Sequence, residues 1–301
     1  MKFSEAIEQF FRWQSMRRMT ATVNSYDFSL RHFCLFVRNR ELDQISLEDV
    51  TNWFVLMRTL GWQQNSFEVK AVSLRKFFEW CRHRGYNVLD PWLIPIPRRE
   101  YAPVRVATEE QYHKIVAAIP RPSNEPRHIR NLALIRLLWD TGVRGGELLS
   151  LNVEHLDLPN AKGQVKTAKV RYAQPLRMIF WTQDTGHAIG DWLVMRENIC
   201  KRHQDANREA LFIGVLGDRV GRRLEPAGLR EVLRRCSRAA GIPVVNAHGF
   251  RHRMGHHLAM KGANNSIISN LLGHQAMQSS YRYTKPSGKE LEEVYRQYQA
   301  A

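Results

Sequence analysis

From Asp90 to Pro103 the chain reads Asp-Pro-Trp-Leu-Ile-Pro-Ile-Pro-Arg-Arg-Glu-Tyr-Ala-Pro. Each proline removes a backbone donor and drives the residue before it toward extended conformations. Neither a helix nor a central strand can pass through this stretch, so the 301 residues must fold as two pieces joined by a semi-extended, basic tether. The expected division is a helical domain over 1–97, a linker over 98–107 and a second domain over 108–301.

The first piece carries helical periodicity almost throughout. One helix is expected from Ser4 to about Met19. Tyr26, Leu30, Phe33 and Val37 then fall on one face of a second. Ser46 and Asp49 form a capping-box pair that opens a third, which fades near Gly61. A fourth, holding Val69, Val72, Phe77 and Trp80, stops before Gly85. The second piece opens on a similar pair, Thr108 and Gln111. An apolar helix follows with Leu132, Ile135 and Trp139 on one face. Strand-like runs at 165–171 and 176–181 flank Ala173-Gln174-Pro175 and read as a hairpin. Helices return at about 184–203, 226–240, 249–261 and 265–272, with a last one from about Ser287. The fold class is therefore mainly α with a small β-sheet.

Charge narrows the function. Lys and Arg number 45 against 29 Asp and Glu, a formal net charge of +16. Residues 1–100 hold 15 basic and 11 acidic side chains, so most of the excess lies in the second domain. A polyanionic partner, above all nucleic acid, is the physical implication. No apolar run approaches the roughly 20 residues needed to span a bilayer, and the N-terminus has no signal-peptide pattern. A cytoplasmic protein with no membrane partner is expected. Cys34, Cys81, Cys200 and Cys236 form no close pair, which argues against a zinc knuckle or a disulfide frame. Cys34 lies in an apolar helical pattern as a small core residue.

The chemistry-bearing residues begin at Asp140-Thr141-Gly142-Val143-Arg144-Gly145-Gly146-Glu147-Leu148. Gly142 can end one helix and Glu147 can belong to the next, which leaves Arg144 in the turn, its planar fork available to phosphate oxygens. Further on come His248-Gly249-Phe250-Arg251, then Leu271-Leu272-Gly273-His274, then Tyr281-Arg282-Tyr283-Thr284. These elements in this order resemble the tyrosine recombinase, or lambda integrase, family. The resemblance covers about residues 140–285, and the helical first domain agrees with that family's core-binding domain.

The resemblance implies a site-specific DNA recombinase, a helical core-binding domain followed by a mixed α/β catalytic domain. Tyr283 would attack phosphorus to give a 3′-phosphotyrosyl bond and a 5′-hydroxyl. A covalent intermediate conserves the bond energy, so neither ATP nor a metal or other cofactor is called for. Arg144 and Arg251 would neutralise charge on the phosphorane, the role a metal plays elsewhere. His248 would accept the phenol proton, His274 would hydrogen-bond a non-bridging oxygen, and Glu147 would support its neighbours. Tyr281 competes with Tyr283, but the nine-residue interval from His274 and the Arg-Tyr-Thr context favour Tyr283.

The family's general acid, a lysine on a β-hairpin, has several candidates. Lys162-Gly163 mimics the usual signature but falls too early for the strand before the turn. Lys166 and Lys169 would point to opposite faces of a strand. Lys169, nearest the turn and 25 residues past Arg144, is preferred, with Lys166 second. Also implied are a double-stranded recombination site, a tetramer on DNA exchanging strands through a Holliday junction, and accessory proteins. The segment after Tyr283 would dock into a neighbouring protomer. With about a hundred residues ahead of the linker there is no room for an added arm-binding domain, so a simple Xer-type or transposon-encoded enzyme is expected. Arg222-Arg223 and Arg234-Arg235 read as solvated or DNA-backbone contacts. His252 and His256 are one helical turn apart but lack a third ligand, so packing or phosphate contact is the expected role.

Overall fold

The computed structural model describes residues 1–15, 20–97, 106–120, 124–166 and 176–273, with only the backbone for 20–23. The chain divides into two units, Met1–Pro103 and Val104–Ala301. Most of the expected linker, 98–105, lies outside the described residues.

The first unit is built on α1 (Phe3–Ser15), α2 (Thr20–Phe36), α3 (Leu47–Thr59) and α4 (Gln64–His83). The Ser46 hydroxyl accepts from the Asp49 backbone N–H, and the Asp49 carboxylate accepts from Ser46, so the expected capping box starts α3. Tyr26, Leu30, Phe33 and Val37 are all buried, as their spacing required. Val69, by contrast, is 41% exposed, because the apolar seam of α4 runs instead through Phe67, Ala71, Leu74, Phe77, Phe78 and Cys81. Phe3, Phe10, Phe77, Phe78 and Trp80 meet mostly edge-to-face or tilted, with centroids 4.9–6.3 Å apart. Each such pair adds about 0.5–1.5 kcal/mol beyond area burial.

Among the described residues, one charged side chain is buried in this unit. Lys70 on α4 is 3% exposed, and its Nζ has no hydrogen-bond partner. It sits 4.4 Å from the ring centroid of Trp62, 4.8 Å from Phe28 and 5.2 Å from Trp53. The Trp53 indole N–H donates to His32 Nδ1 at 2.9 Å, which fixes one wall of the cage. Desolvation pulls the Lys70 ammonium down to about 8.

The second unit contains α5 (Glu109–Ala118), α6 (Pro126–Thr141), α7 (Gly145–Ser150), α8 (Gln183–Arg202), α9 (Pro226–Ala239), α10 (Ala247–Met260) and α11 (Asn265–Leu272). Its strands are β1 (Leu156–Asp157), β2 (Lys162–Lys166) and β3 (Leu176–Phe180), paired antiparallel in the order β1-β2-β3. The short β1 was not foreseen. Lys162 and Gly163 lie inside β2, which starts earlier than the sequence led us to expect. Thr108 and Gln111 make the second capping box. The helices pack around the buried Leu134, Ile135, Leu138, Ile189, Trp192 and Phe250. All four cysteines are buried thiols. Among the described residues no helix is long and apolar enough to cross a membrane.

Candidate active site

Helix α6 ends on Gly142 in the left-handed region, φ +57°. A Cβ there would lie 2.8 Å from Met254 Cβ, so glycine is required by both backbone and space. Two residues later Arg144, in extended conformation, precedes α7. Its backbone N–H donates to Glu147 Oε2 at 2.9 Å, and its Nη1 to Glu147 Oε1 at 2.6 Å. Its Nη2 donates to the carbonyl of Gly273 at 2.8 Å. Gly273 is the second left-handed glycine of the site, φ +65°, and ends α11.

Arg251, on α10, is 2% exposed. Its Nη1 donates to the Gly142 carbonyl at 3.1 Å, and its Nη2 to the Leu272 carbonyl. The last carbonyls of a helix have no intrahelical partner and mark the negative end of its dipole, so a guanidinium there is both satisfied and electrostatically favoured. Two arginines far apart in sequence are thus oriented on adjacent main-chain carbonyls, Arg251 on that of Leu272 and Arg144 on that of Gly273, with Glu147 holding the other side of the Arg144 fork.

His248 lies exposed in the first turn of α10, one turn before Arg251. Asn246 caps that helix, its Oδ1 accepting from the Gly249 N–H at 2.8 Å. The His248 ring meets His252 edge-to-face, with centroids 4.8 Å apart. His274, Tyr281, Tyr283 and Lys169 lie outside the described residues. Lys166 closes β2 on the exposed face, opposite to the face of Val165 and its pairing partner Arg177. Lys162 pairs with Asp157 at 3.5 Å.

One member of the site was missed in the sequence. Arg177, on the inward face of β3, donates through Nη2 to Glu147 Oε2 at 2.6 Å and through Nη1 to the Leu271 carbonyl at 2.6 Å. Leu271, Leu272 and Gly273 therefore give three successive carbonyls to Arg177, Arg251 and Arg144. Burial alone would push the Glu147 carboxyl up, but Arg177, the Arg144 N–H and the Arg144 guanidinium together hold it below the usual range. Burial in turn pulls the Arg177 guanidinium below its ordinary value, partly offset by Glu147. The only hint in the sequence was an arginine inside an otherwise apolar strand.

The arginine pairs in the 222–235 region need correction or closer definition. Arg223 is an internal strut rather than a solvated or DNA-backbone contact: it donates to the Leu149 and Leu151 carbonyls and to Asn152 Oδ1. Arg234 and Arg235 both pair with Glu231.

Residues 105–290 match the model of the phage integrase family, and residues 7–85 match the phage integrase N-terminal SAM-like domain. Tyrosine recombinase XerC of Roseiflexus castenholzii is 25% identical over 287 residues, covering 93% of this chain and 88% of that protein. Tyrosine recombinase XerD of Oceanobacillus iheyensis is 26% identical over 306 residues, covering 97% of each. Among solved structures, the Tn1549 transposon integrase in complex with circular intermediate DNA superposes with a TM-score of 0.73 at 17% identity, over 99% of this chain and 100% of that one. XerH recombinase bound to difH substrate gives 0.67 at 21% identity, over 91% and 78%.

Proposed function

The chain belongs to the phage integrase family, and from that premise we propose how its own residues carry out recombination. It is a tyrosine site-specific recombinase, which cuts and rejoins duplex DNA through a covalent tyrosyl intermediate. Tyr283 is the nucleophile. Its phenolic oxygen attacks the scissile phosphorus while His248 takes the proton, since a phenol with a pKa near 10 is mostly neutral at pH 7. Arg144 and Arg251 hold the non-bridging oxygens, and His274 adds a hydrogen bond. Lys169 protonates the departing 5′-oxygen; the placement of Lys166 on the face opposite Arg177 supports that choice. The bond energy stays in the phosphotyrosine, and the 5′-hydroxyl of a second strand reverses the step.

The observation that carries this reading is the meeting of Arg144 and Arg251 on the Gly273 and Leu272 carbonyls, immediately before His274. Three motifs that are separate in sequence converge at one point. A nicked suicide substrate bearing the recognition site tests the assignment. Wild type should yield a covalent protein–DNA adduct and Tyr283→Phe none. An undiminished adduct with Tyr283→Phe would remove Tyr283 from the role; no adduct with wild type would remove the enzyme.

The working form is a tetramer on two duplex sites, exchanging strands through a Holliday junction in the cytoplasm at the nucleoid, with accessory proteins setting direction. Supporting this are the formal charge of +16 and the amphipathic sequence pattern beyond Tyr283, with Leu291, Val294 and Tyr295 as its apolar positions.

A further inference from the structure

Two carboxylates flank the Arg144 turn, Asp140 four residues before it and Glu147 three residues after, and each is tied to the chain of β3. Glu147 holds the middle of the strand through Arg177. Asp140 holds its end: one oxygen, Oδ2, accepts from both the backbone N–H and the hydroxyl of Thr182, each at 2.8 Å. Thr182 follows β3 by two residues and is the N-cap of α8, yet its hydroxyl makes no cap bond to its own helix. A threonine at that position ordinarily satisfies its own first turn, and here it is turned to Asp140 instead.

The path from Asp140 to Arg144 has little slack. Thr141 and Val143 are buried, the Val143 N–H donates to the Thr141 hydroxyl at 3.3 Å, and Gly142 between them closes α6. The path from Thr182 to the hairpin is equally short, since Trp181 donates to the Ala161 carbonyl at 3.0 Å and β3 pairs with β2 from Phe180 to Leu176. Between the end of α6 and β3, however, apolar packing is incomplete. A crevice of 190 Å³ separates them, lined by Asp140, Met178, Phe180, Met254 and Leu258 among others. Close packing fixes a strand against a helix only where the contact is filled, so at this seam the two Asp140 hydrogen bonds set the distance.

We propose that Asp140 is a positioning residue for strand cleavage: by holding Thr182 it sets the root of the β2–β3 hairpin against the Arg144 turn, and with it the reach of the hairpin's general acid toward the leaving oxygen. The proposal rests on the recombinase reading above, in which Lys169, between β2 and β3 in sequence, is that acid. As the Tyr283 oxygen bonds to phosphorus the P–O5′ bond breaks, and the departing oxygen takes its proton from the acid. A misplacement of about 1 Å can cost about a hundredfold in such a transfer. A helix cap with no part in the reaction would affect only the stability of α8.

The test replaces the bridging 5′-oxygen of the nicked suicide duplex by sulfur. A thiol has an ordinary pKa of about 8.5, so a thiolate departs without being handed a proton. Single-turnover adduct formation on the oxygen and sulfur substrates is compared for wild type, Asp140→Ala, Asp140→Asn, Thr182→Val and Lys169→Ala, with equilibrium binding of the same DNA. Asp140→Ala should slow cleavage of the oxygen substrate about tenfold, with affinity within about threefold, and cleave the sulfur substrate at the wild-type rate. Asp140→Asn, whose amide oxygen can accept both bonds, should recover most of the loss. Thr182→Val keeps one of the two bonds and should lose about threefold on oxygen and nothing on sulfur. An unchanged circular dichroism spectrum establishes folding, and Thr182→Val carries the comparison if Asp140→Ala is not folded. Cleavage of the oxygen substrate by Asp140→Ala at the wild-type rate, or an equal loss on both substrates, overturns the proposal. A Lys169→Ala loss that sulfur does not restore removes Lys169 from the role of acid, while the Asp140 result still decides the proposal. No adduct with wild type on either substrate sinks the recombinase reading itself.

Discussion

Lys70 in the first unit and Arg177 in the second are both buried cations, 3% and 9% exposed, but their surroundings differ in kind. Lys70 is held by aromatic faces alone, without a hydrogen bond to its Nζ. Arg177 has a carboxylate and a backbone carbonyl within 2.6 Å. An ammonium is compact and strongly hydrated and loses much on burial, whereas a guanidinium is planar, weakly hydrated and made for forked contacts. The first arrangement is a cost carried by the fold. The second is a network whose members depend on one another. Interior positive charge is thus not one structural theme, and its energetic sign depends on what faces it.

Four substitutions or titrations sharpen or break that contrast. The largest effect is expected from Glu147→Ala, which strands Arg177 in the interior: unfolding of the second unit in urea should lose about 3–5 kcal/mol. A loss under 1 kcal/mol would mean the network is not interdependent. Next, Arg251→Ala should lower the adduct-forming rate on the suicide substrate by about 10²–10³-fold, the usual cost of removing one preorganised donor to a charged transition state. Lys70→Met, an apolar chain of similar length, should leave the first unit as stable as before or firmer by about 1 kcal/mol. If it destabilises as Glu147→Ala does, the distinction between the two centres fails.

The same contrast can be read by titration. The folded Lys70 ammonium loses its proton near pH 8, below its ordinary 10.5. Between those values the unfolded chain binds more protons, so stability rises with pH. Below about pH 8 both states are protonated and the full burial cost is present. The stability of wild type minus that of Lys70→Met should therefore climb from pH 8 toward 10.5, and a flat difference would refute the buried ammonium.

The legible parts of the molecule were those governed by short-range rules. The two capping boxes, the apolar faces of α2 and α6 and the left-handed end of α6 all follow from residues within one or two turns of each other. The order of Arg144, the His248–Arg251 element and the Leu-Gly-His run identified the family, which the family model bears out. What escaped is long-range. Arg177 is 30 residues from Glu147 and 94 from Leu271 in sequence, and no local pattern marks either contact. The Lys70 cage draws on three elements and reads, one residue at a time, as an ordinary basic helix. Arg223 failed for the same reason: beside Arg222 it looks solvated, yet its partners are more than 70 residues away.

The carbonyls of Leu271, Leu272 and Gly273 that hold the three arginines belong to the main chain. Every amino acid brings the same oxygen to those places, so the side chains at 271 and 272 can drift over generations without disturbing the anchors, within the packing they must satisfy. Gly142 and Gly273 have no such latitude, because only their bare α-carbons allow the chain to turn there. Divergence should therefore be patterned, with Gly142 and Gly273 fixed and the side chains at 271 and 272 variable, and that pattern would trace the guanidinium scaffold in descendants too altered for their other motifs to be recognised.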